Sequence, residues 1–544
     1  MPQRPLPALL PWSSWFWTAG EQGELKIQGC DDCQQLVHPP VAICPSCRST
    51  NHSPRTMSGK GIVIGYTINV QQWLPGFEPP YLIANVALVE DPSIHLTTNL
   101  VDCPIDGARI GMEVEVRFEQ QDDVWFPLFA PTGAPDHPNP VPEPQRPAIR
   151  PPVSDERYEH KSVISGIGRS RMGRHLMVDP ISLTVEACLQ AIADAGLTPD
   201  DIDGLCTYPG TMGFEMGIGE GGITPVEEAL RLRPTWVNGG GDIHSPAGGL
   251  LNAAMAVATG LCRHVLVFRT VWQTTAPALR LGGGGGRMAG DMQWRIPYGA
   301  ASAANWIGMN AAQYLHRYGA TRELFGHIAI NGRNNASINP IALKREPFTM
   351  DEYMEARMVT WPFGLLDCDL PCDASIAVIV SAADVAKDLP HTAVRMEAAG
   401  TQITERLSWD QDTVTHEPQV LGPCTHLWTR TSLRPDDMDL ALLYDGFTFN
   451  AITWIEALGF CGLGEAKDWI DGGRTIARDG KIPLNPHGGQ LSEGRTHAMG
   501  FVYEAVTQLR HDAGERQIAD AKTAIVGTGG GTPSSVIILQ RDGV

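Results

Sequence analysis

An internal duplication in the C-terminal part of the chain restricts its fold more than any other feature. Residues 197–203 read Leu-Thr-Pro-Asp-Asp-Ile-Asp, and residues 433–439 repeat this pattern as Leu-Arg-Pro-Asp-Asp-Met-Asp. Each copy leads into a short apolar stretch that predicts a strand, ending at Tyr208 and Tyr444 respectively. A repeat of this kind predicts two related halves within one domain.

A second pair of segments follows the duplicated motif in the same order. Residues 247–260 and 499–509 predict helices that open just after a polar cluster, and strands are predicted after them at 265–268 and 524–526. The chain closes with a Gly-rich turn and a strand at 527–538. The alternation predicts an α/β fold in which each half places a helix N-terminus near the centre. Helix N-termini stabilise negative charge, so this arrangement favours an oxyanion site.

Two Cys-x-x-Cys pairs near the N-terminus predict a metal site. Cys30 and Cys33 form the first pair, and Cys44 and Cys47 form the second after a short loop. Each pair turns two thiolates toward one point, and together they complete a tetrahedral zinc site. Four thiolates leave no open position for water, so the expected zinc is structural. Disulfide pairing is the alternative interpretation.

The segments after these cysteines alternate between apolar and polar residues. The patterns at 61–69, 81–90 and 113–119 predict strands of a small OB-type β-barrel. Barrels of this type often bind nucleic acid, but this one lacks a basic face with aromatic residues. We therefore interpret it as a docking or substrate-channel module.

The charge and apolar content exclude several classes of function. The chain has 41 basic and 61 acidic residues, a net charge of −20, which argues against nucleic acid or an anionic membrane as a partner. No secretory signal pattern and no apolar run of membrane-spanning length occur. The eight cysteines outside the two pairs are scattered singly. We expect a cytoplasmic protein whose thiols are free or bound to metal.

A proline-rich stretch gives the clearest domain boundary. Its many prolines predict an extended and stiff linker. The expected division is an N-terminal helix and zinc ribbon at 1–52, the barrel at 53–130, the linker at 131–157 and a catalytic domain at 158–544.

The duplicated halves, together with the block Asn-Pro-His-Gly-Gly-Gln-Leu-Ser-Glu-Gly at residues 485–494, resemble the thiolase superfamily, and within it the lipid-transfer-protein branch. The ribbon and barrel resemble the zinc-ribbon OB-fold proteins that accompany those enzymes, here fused in one chain. The resemblance implies a five-layered αβαβα domain, a homodimer, an acyl-CoA ligand, and a barrel docked beside each active site.

Thiolases place a nucleophilic cysteine at the N-terminus of the first central helix, and here that region has none. Residues 238–245 read Asn-Gly-Gly-Gly-Asp-Ile-His-Ser, so His244 and Ser245 stand there as expected substrate contacts or as helix caps. The Gly-His-Pro motif of the superfamily is altered to Gly494-Arg495-Thr496. Without a nucleophile, covalent acyl transfer has no obvious route. A thiolase or acyltransferase with an unrecognised nucleophile remains an alternative.

The resemblance extends to the steroid side-chain aldolases, which cleave a β-hydroxyacyl-CoA by a retro-aldol reaction. Their Tyr-Asp-x-Phe motif matches Tyr444, Asp445, Gly446 and Phe447, while the position of their second tyrosine is Arg495. The resemblance implies that Tyr444 is the general acid/base.

Three further side chains of the same region have expected roles in this aldolase. Arg495 stays protonated, so its expected role is to lower the pKa of Tyr444 or to stabilise the enolate. His487 and His497 are expected to relay a proton. Ordinary core packing is the alternative for Tyr444 and for both histidines.

The remaining expectations concern binding and excluded mechanisms. Gly488, Gly489 and Ser492 are expected substrate contacts within the 485–494 block.

Two other mechanisms are disfavoured by the sequence. The five-glycine run at 282–286 lacks the pattern of a phosphate loop. No lysine occurs between Lys161 and Lys344, which disfavours a Schiff-base aldolase. The stretch 369–373 is expected to be structural. A non-catalytic acyl-CoA or lipid carrier is the alternative from another class of function.

Overall fold

A computed structural model describes residues 3–138, 148–207, 221–239, 245–279, 287–403, 419–531 and 534–543, excluding the side chains of residues 245 and 246. Tyr208, His244 and the five-glycine run 282–286 therefore lie outside the described residues. Within the described residues, no helix has the length and apolar character needed to cross a membrane.

A small antiparallel sheet forms the N-terminal ribbon. It follows helix α1 (Ser14–Thr18) and consists of β1 (Leu25–Cys30), β2 (Leu36–Val37) and β3 (His52–Met57), in the order β2-β1-β3. A residue with positive φ follows each cysteine pair, Gln34 in the first case and Arg48 in the second. Their amides bond to the carbonyl oxygens of Cys30 and Cys44, each at 2.9 Å, which closes the two cysteine turns.

The barrel is built from five antiparallel strands. They are β4 (Lys60–Asn69), β5 (Tyr81–Leu88), β6 (His95–Thr98), β7 (Glu113–Gln121) and β8 (Val124–Pro131). Strand β4 pairs with β5 and β7, and a bridge between Leu100 and Phe129 nearly closes the sheet. The three predicted strands are confirmed as β4, β5 and β7, and the sequence reading missed β6 and β8.

The catalytic domain contains one nine-stranded sheet whose two parts follow the duplication. Its order is β11-β10-β12-β15-β9-β16-β19-β18-β17. The first part comprises β9 (Ser162–Arg169), β10 (Gly204–Thr207), β11 (Trp236–Asn238), β12 (His264–Trp272) and β15 (Asp373–Ala382). The short strands β13 (Met358–Thr360) and β14 (Phe363–Gly364) lie outside this sheet. The second part comprises β16 (Val394–Gly400), β17 (Leu440–Leu443), β18 (Thr523–Thr528) and β19 (Ser535–Arg541).

Helices cover and separate the two parts of this sheet. The helices are α2 (Pro180–Asp194), α3 (Ile223–Leu230), α4 (Ser245–Ala258), α5 (Thr275–Ala278), α6 (Ala303–Tyr318), α7 (Arg322–Ser337), α8 (Met350–Glu355), α9 (Leu421–Leu427), α10 (Thr448–Ala457), α11 (Ala466–Trp469), α12 (Gly489–Ser492) and α13 (Met499–Arg510). The largest buried cluster joins α4 and α13 to strands of both halves. Other clusters pack α2 and α3 on the first half, and α7, α9 and α10 on the second. Five layers result, with α4 and α13 in the central one, as predicted.

The duplicated motif has the same structural role in both halves. The Asp203 carboxylate accepts hydrogen bonds from the amides of Arg263 and His264, at the start of β12. The Asp439 carboxylate accepts from the amides of Lys522 and Thr523, at the start of β18. Each aspartate therefore fixes a crossover strand against its parallel neighbour. Strand β17 ends at Leu443, one residue before Tyr444.

The barrel docks directly on the catalytic domain. Strand β13 pairs with β4 through Thr360 and Asn69, so a short segment of the catalytic domain extends the barrel sheet. The Asn305 side chain on α6 donates to Asn69 Oδ1 at 2.9 Å. Near the chain start, Arg4 Nη1 donates to the carbonyl oxygen of Pro297 at 2.8 Å. These buried polar contacts hold the two regions in one orientation.

Candidate active site and metal centre

The four N-terminal cysteines form the predicted cluster. Their sulfur atoms all lie within 4.8 Å of one another. The Cys30–Cys47 and Cys33–Cys44 sulfur distances are both 3.6 Å. A tetrahedral ion with Zn–S bonds of about 2.3 Å would place its sulfur ligands roughly this far apart. The donor set and its geometry therefore fit zinc.

Tyr444 lies at the carboxyl end of β17, between the central cluster and the outer cluster of the second half. Its amide donates to the carbonyl oxygen of Gly527 at 3.0 Å, which continues the parallel pairing with β18. Burial, with the nearby Asp369 carboxylate, raises the pKa of Tyr444 to about 12, against the opposing effect of Arg495. The hydroxyl is therefore protonated at neutral pH and suits proton donation.

Arg495 and its neighbours form the polar region beside Tyr444. Arg495 Nε donates to Gln273 Oε1 at 3.0 Å, and its Nη1 donates to Asp369 Oδ1 at 3.2 Å. Burial raises the pKa of Asp369 to about 6, and the Arg495 cation opposes this rise. A cation, a carboxylate and a phenol thus interact in one place. This combination can move a proton and stabilise negative charge on a ligand.

His497 joins the same group through two side chains of the first half. The Arg269 guanidinium donates to its Nδ1, and its Nε2 lies 3.3 Å from the Gln273 amide nitrogen. Burial and the two cations Arg269 and Arg495 hold the pKa of His497 well below its usual range. The ring is therefore neutral at physiological pH.

His487 lies in a different cluster. Its Nε2 is 3.6 Å from Glu493 Oε2, and its ring packs edge-on against Phe501. Burial, with nearby arginines, lowers the pKa of His487 well below its usual range. Within the described residues, no hydrogen bond or ion pair joins it to Tyr444, Arg495 or His497. The structure therefore separates the two histidines that the sequence predicted to act together.

The geometry of the 485–494 block depends on Asp445. This carboxylate accepts from the Gln490 amide at 2.8 Å and from Asn485 Nδ2 at 3.1 Å. A Cβ at Gly489, whose φ is +63°, would lie 1.8 Å from Asp445 Oδ2. Burial raises the pKa of Asp445 to about 7. The block therefore packs against the Tyr444 loop through the Asp445 carboxylate, and only a glycine at position 489 leaves room for this group.

The other predicted contacts of the block are engaged in packing. Gly488 has a φ of +108°, and a Cβ there would lie 2.7 Å from the Ala336 side chain. Ser492 is buried and its hydroxyl accepts from Arg333 Nε at 3.0 Å. Ser245 opens α4, but its side chain is outside the described residues.

The sequence analysis missed four site residues. They are Asp369, Gln273, Arg269 and Gln490. The Gln490 side chain faces the Tyr444 hydroxyl and opposes the rise of its pKa. The stretch 369–373 was expected to be structural, which holds for Asp373. Its carboxylate accepts from the amides of Thr274 and Leu176. Asp369, four residues earlier, faces Arg495 instead. No local pattern distinguishes these two aspartates.

The thiols outside the cysteine cluster are poor nucleophiles. Burial raises the pKa of Cys262, four residues beyond the end of α4, to about 11. Desolvation also raises the pKa of each of the other seven: Cys103, Cys188, Cys206, Cys368, Cys372, Cys424 and Cys461. Catalytic thiols need the opposite shift, because the thiolate is the reactive form.

Family models match three regions of the chain. Residues 17–53 match the rubredoxin-like zinc ribbon domain of ChsH2, and residues 54–119 match the C-terminal OB-fold domain of ChsH2. Residues 425–541 match the thiolase C-terminal domain-like family. Together with the duplicated layers, these matches define a thiolase-like enzyme that carries a zinc ribbon and an OB-fold barrel.

Relatives of known activity identify the branch. The steroid side-chain-cleaving aldolase of Thermomonospora curvata is 34% identical over 392 residues, covering 70% of this chain and 98% of the relative. The 17-hydroxy-3-oxo-4-pregnene-20-carboxyl-CoA lyase of Mycobacterium tuberculosis is 33% identical over 393 residues, covering 70% and 99%. A solved Ltp2-ChsH2(DUF35) aldolase superimposes with a TM-score of 0.63 at 32% identity, covering 71% of this chain and 98% of that one. The chain belongs to the family of steroid side-chain-cleaving aldolases, which confirms the resemblance read from its motifs.

Proposed function

We propose that this protein cleaves the bond between the α and β carbons of a β-hydroxyacyl-CoA by a retro-aldol reaction. The products are a ketone or aldehyde and a shorter acyl-CoA. The observation that carries the proposal is the position of Tyr444 beside the Arg495–Asp369 ion pair. The raised pKa of all eight thiols outside the zinc cluster argues against a thiolase that uses one of them.

The side chains divide the chemistry as follows. Tyr444 acts as the general acid/base at the reacting carbons. The Arg495 cation stabilises the enolate oxygen that forms as the carbon–carbon bond breaks. His497 accepts a hydrogen bond from Arg269 and lies beside Gln273, whose side-chain oxygen accepts from Arg495. His487 and Ser492 stabilise the packing of the block behind Tyr444.

The substrate we propose carries a bulky side chain of the steroid type. This assignment rests on the names of two relatives, the steroid side-chain-cleaving aldolase and the 17-hydroxy-3-oxo-4-pregnene-20-carboxyl-CoA lyase. Arg4, Asn69 and Thr67 fix the barrel against the catalytic domain. We propose that the barrel lies beside the substrate path, as the sequence predicted.

Further assignments concern the metal, the domains, the assembly and the compartment. We propose that the four cysteines hold a structural zinc and that the division into domains falls at residues 52, 130 and 157. We also propose that the enzyme is a homodimer and that it lies in the cytoplasm. All twelve cysteines are free of disulfide bonds, which is in keeping with a reducing compartment.

One assay separates the possible reactions. The full chain is incubated with a β-hydroxyacyl-CoA bearing a tertiary alcohol, without free CoA, and the products are identified by mass spectrometry. We expect one carbonyl product for each shorter acyl-CoA. The matched control is the same acyl-CoA without the β-hydroxyl, which should remain intact. Cleavage that depends on added CoA would indicate thiolysis, and tight binding without turnover would indicate a carrier.

The zinc assignment has its own measurement. Elemental analysis of the purified chain should find about one zinc per protein, as four thiolates form one closed site. Cys33→Ser should lower the zinc content, while Cys103→Ser, outside the cluster, should not. A wild-type protein free of zinc and other metal would contradict the assignment.

A further inference from the structure

Asp369 is held between the two loops that carry Tyr444 and Arg495. Its amide donates to the carbonyl oxygen of Gly446 at 3.1 Å, two residues beyond Tyr444. The carbonyl oxygen of the next residue, Leu370, accepts from the Arg495 amide at 2.8 Å. The backbone therefore fixes Asp369 between the phenol and the guanidinium. This placement depends on three chain segments that are distant in sequence.

The carboxylate of Asp369 has spare capacity for a hydrogen bond. Arg495 Nη1 binds Oδ1, and the described residues provide no other hydrogen bond to this group. The side chain is 10% exposed, so the surrounding protein does not enclose it completely. Burial raises its pKa to about 6 against the effect of Arg495, so the group is ionised at neutral pH but accepts a proton readily.

The neighbouring acids lack this capacity. Both oxygens of Asp445 are bonded, to Asn485 and to the Gln490 amide. Glu493 faces Arg169 and Asn339 through one oxygen and His487 through the other.

The remaining polar groups of the site are also unsuited to accept the proton. Arg495 stays protonated, and Tyr444 carries its own proton at neutral pH. His497 already accepts from a guanidinium at Nδ1.

We propose that Asp369 is the catalytic general base that takes the proton from the β-hydroxyl of the substrate. This inference deepens the proposed lyase function and rests on it. The charged and titratable groups that face Asp369 are Arg495, Tyr444, Asp445, Cys368 and Cys372. Arg495 is the only cation among them, and its proximity favours the ionised, proton-accepting form.

The proton and electron pairs balance without another reactant. Asp369 takes the hydroxyl proton, the oxygen electron pair forms the carbonyl, and the electron pair of the broken carbon–carbon bond enters the enolate. The Tyr444 hydroxyl then gives its proton to the α carbon. Transfer of the proton from Asp369 to the tyrosinate restores both groups. No oxidation or reduction occurs.

Asp369→Asn and Asp369→Ala test the proposal in the full chain. The amide of Asp369→Asn keeps an oxygen for Arg495 but cannot accept the proton. We expect kcat to fall by roughly 10²-fold or more with KM little changed, the usual scale for a lost general base. Added formate should restore part of the turnover of Asp369→Ala. An unfolded protein would not respond to formate, so rescue distinguishes a lost base from lost structure.

The pH profile supplies a readout that a purely structural role would not change. In the wild type, turnover should fall as pH decreases through about 6, since Asp369 becomes protonated. Arg495→Gln should move this limb to higher pH, because Arg495 lowers the pKa of Asp369. Glu186→Gln removes a carboxylate that pairs with Arg171 away from the site, and this variant should leave the pH profile unchanged.

The outcomes are separable. Two results would overturn the role of Asp369 and leave the lyase function intact, provided that the wild type cleaves the substrate. One is that Asp369→Asn keeps more than a third of the wild-type rate. The other is that formate fails to rescue Asp369→Ala. A wild type without any retro-aldol cleavage would instead overturn the proposed function.

Discussion

The two halves of the catalytic domain can be compared at the two ends of their parallel strands. At the amino-terminal end, Asp203 and Asp439 hold the starts of β12 and β18 through the same kind of backbone hydrogen bonds. At the carboxyl end each half supplies polar side chains. The second half presents Tyr444 after β17, and the first presents Arg269 within β12 and Gln273 just after it.

This comparison separates scaffold from site. The repeated aspartates stabilise the sheet, while side chains at the carboxyl ends of the two halves contact each other. Gln273 contacts Arg495, and Arg269 contacts His497, so both halves contribute to the site. Variants at the carboxyl end should therefore change the reaction, whereas variants at the amino-terminal end should change stability.

The largest effect is expected at Tyr444. Tyr444→Phe removes the hydroxyl but keeps the ring that packs between the two clusters, so kcat should fall by roughly 10²-fold or more. Steady-state cleavage of a β-hydroxyacyl-CoA measures this. Tyr503→Phe on α13 is the matched control, because that ring only packs against Arg169 and the central cluster. Equal rates for Tyr444→Phe and the wild type would remove this tyrosine from the mechanism.

A smaller effect is expected at the histidines, and it should depend on their position. His497→Gln should lower kcat by about tenfold, less than the loss of a direct proton-transfer group. His487→Gln should lower stability and leave kcat nearly unchanged. His264→Gln, at the amino-terminal end of β12, should also leave kcat nearly unchanged. Circular dichroism melts and steady-state rates on the three variants measure both properties.

The pKa shifts of these rings make the pH dependence specific. Burial lowers the pKa of His497 and His487 well below the usual range. Both rings are therefore neutral at the pH values where a free histidine titrates. The pH profile of His497→Gln should therefore keep the same limb as the wild type. A limb near pH 6.5 that disappears in this variant would favour the proton relay read from the sequence.

The smallest effects are expected at the repeated aspartates. Asp203→Ala and Asp439→Ala each leave two backbone amides without their acceptor, which costs about 1 kcal/mol at these half-buried positions. Chemical denaturation should show similar losses for the two variants, with kcat unchanged in both. A clear loss of kcat at either position would contradict the division into a scaffold at the amino-terminal end and a site at the carboxyl end.

The sequence predicted the layered fold because the duplication, the helix patterns and the strands are local signals. Helices α4 and α13 and strands β12 and β18 fall where the pattern placed them. The sequence also predicted the cysteine cluster, since each pair closes within one turn. It placed Tyr444 and Arg495 in one site through the family motif alone.

The separation of His487 from His497 was not predictable in this way. The two residues lie ten positions apart in one motif, but a tight turn with positive φ at His497 and Ala498 directs the chain away from the Glu493 cluster. His487 is thereby enclosed with Glu493 and Phe501, and His497 faces the first half.

The sequence by itself determined the zinc ribbon, the barrel, the duplicated α/β layers and the tyrosine at the end of β17. These follow from spacing and periodicity, which act over a few residues. Only the tertiary structure decided that Asp369, Gln273 and Arg269 join Arg495 and His497 in one polar group. The physical reason is that buried ionisable side chains take their partners and pKa values from groups brought together by packing, whatever their distance along the chain.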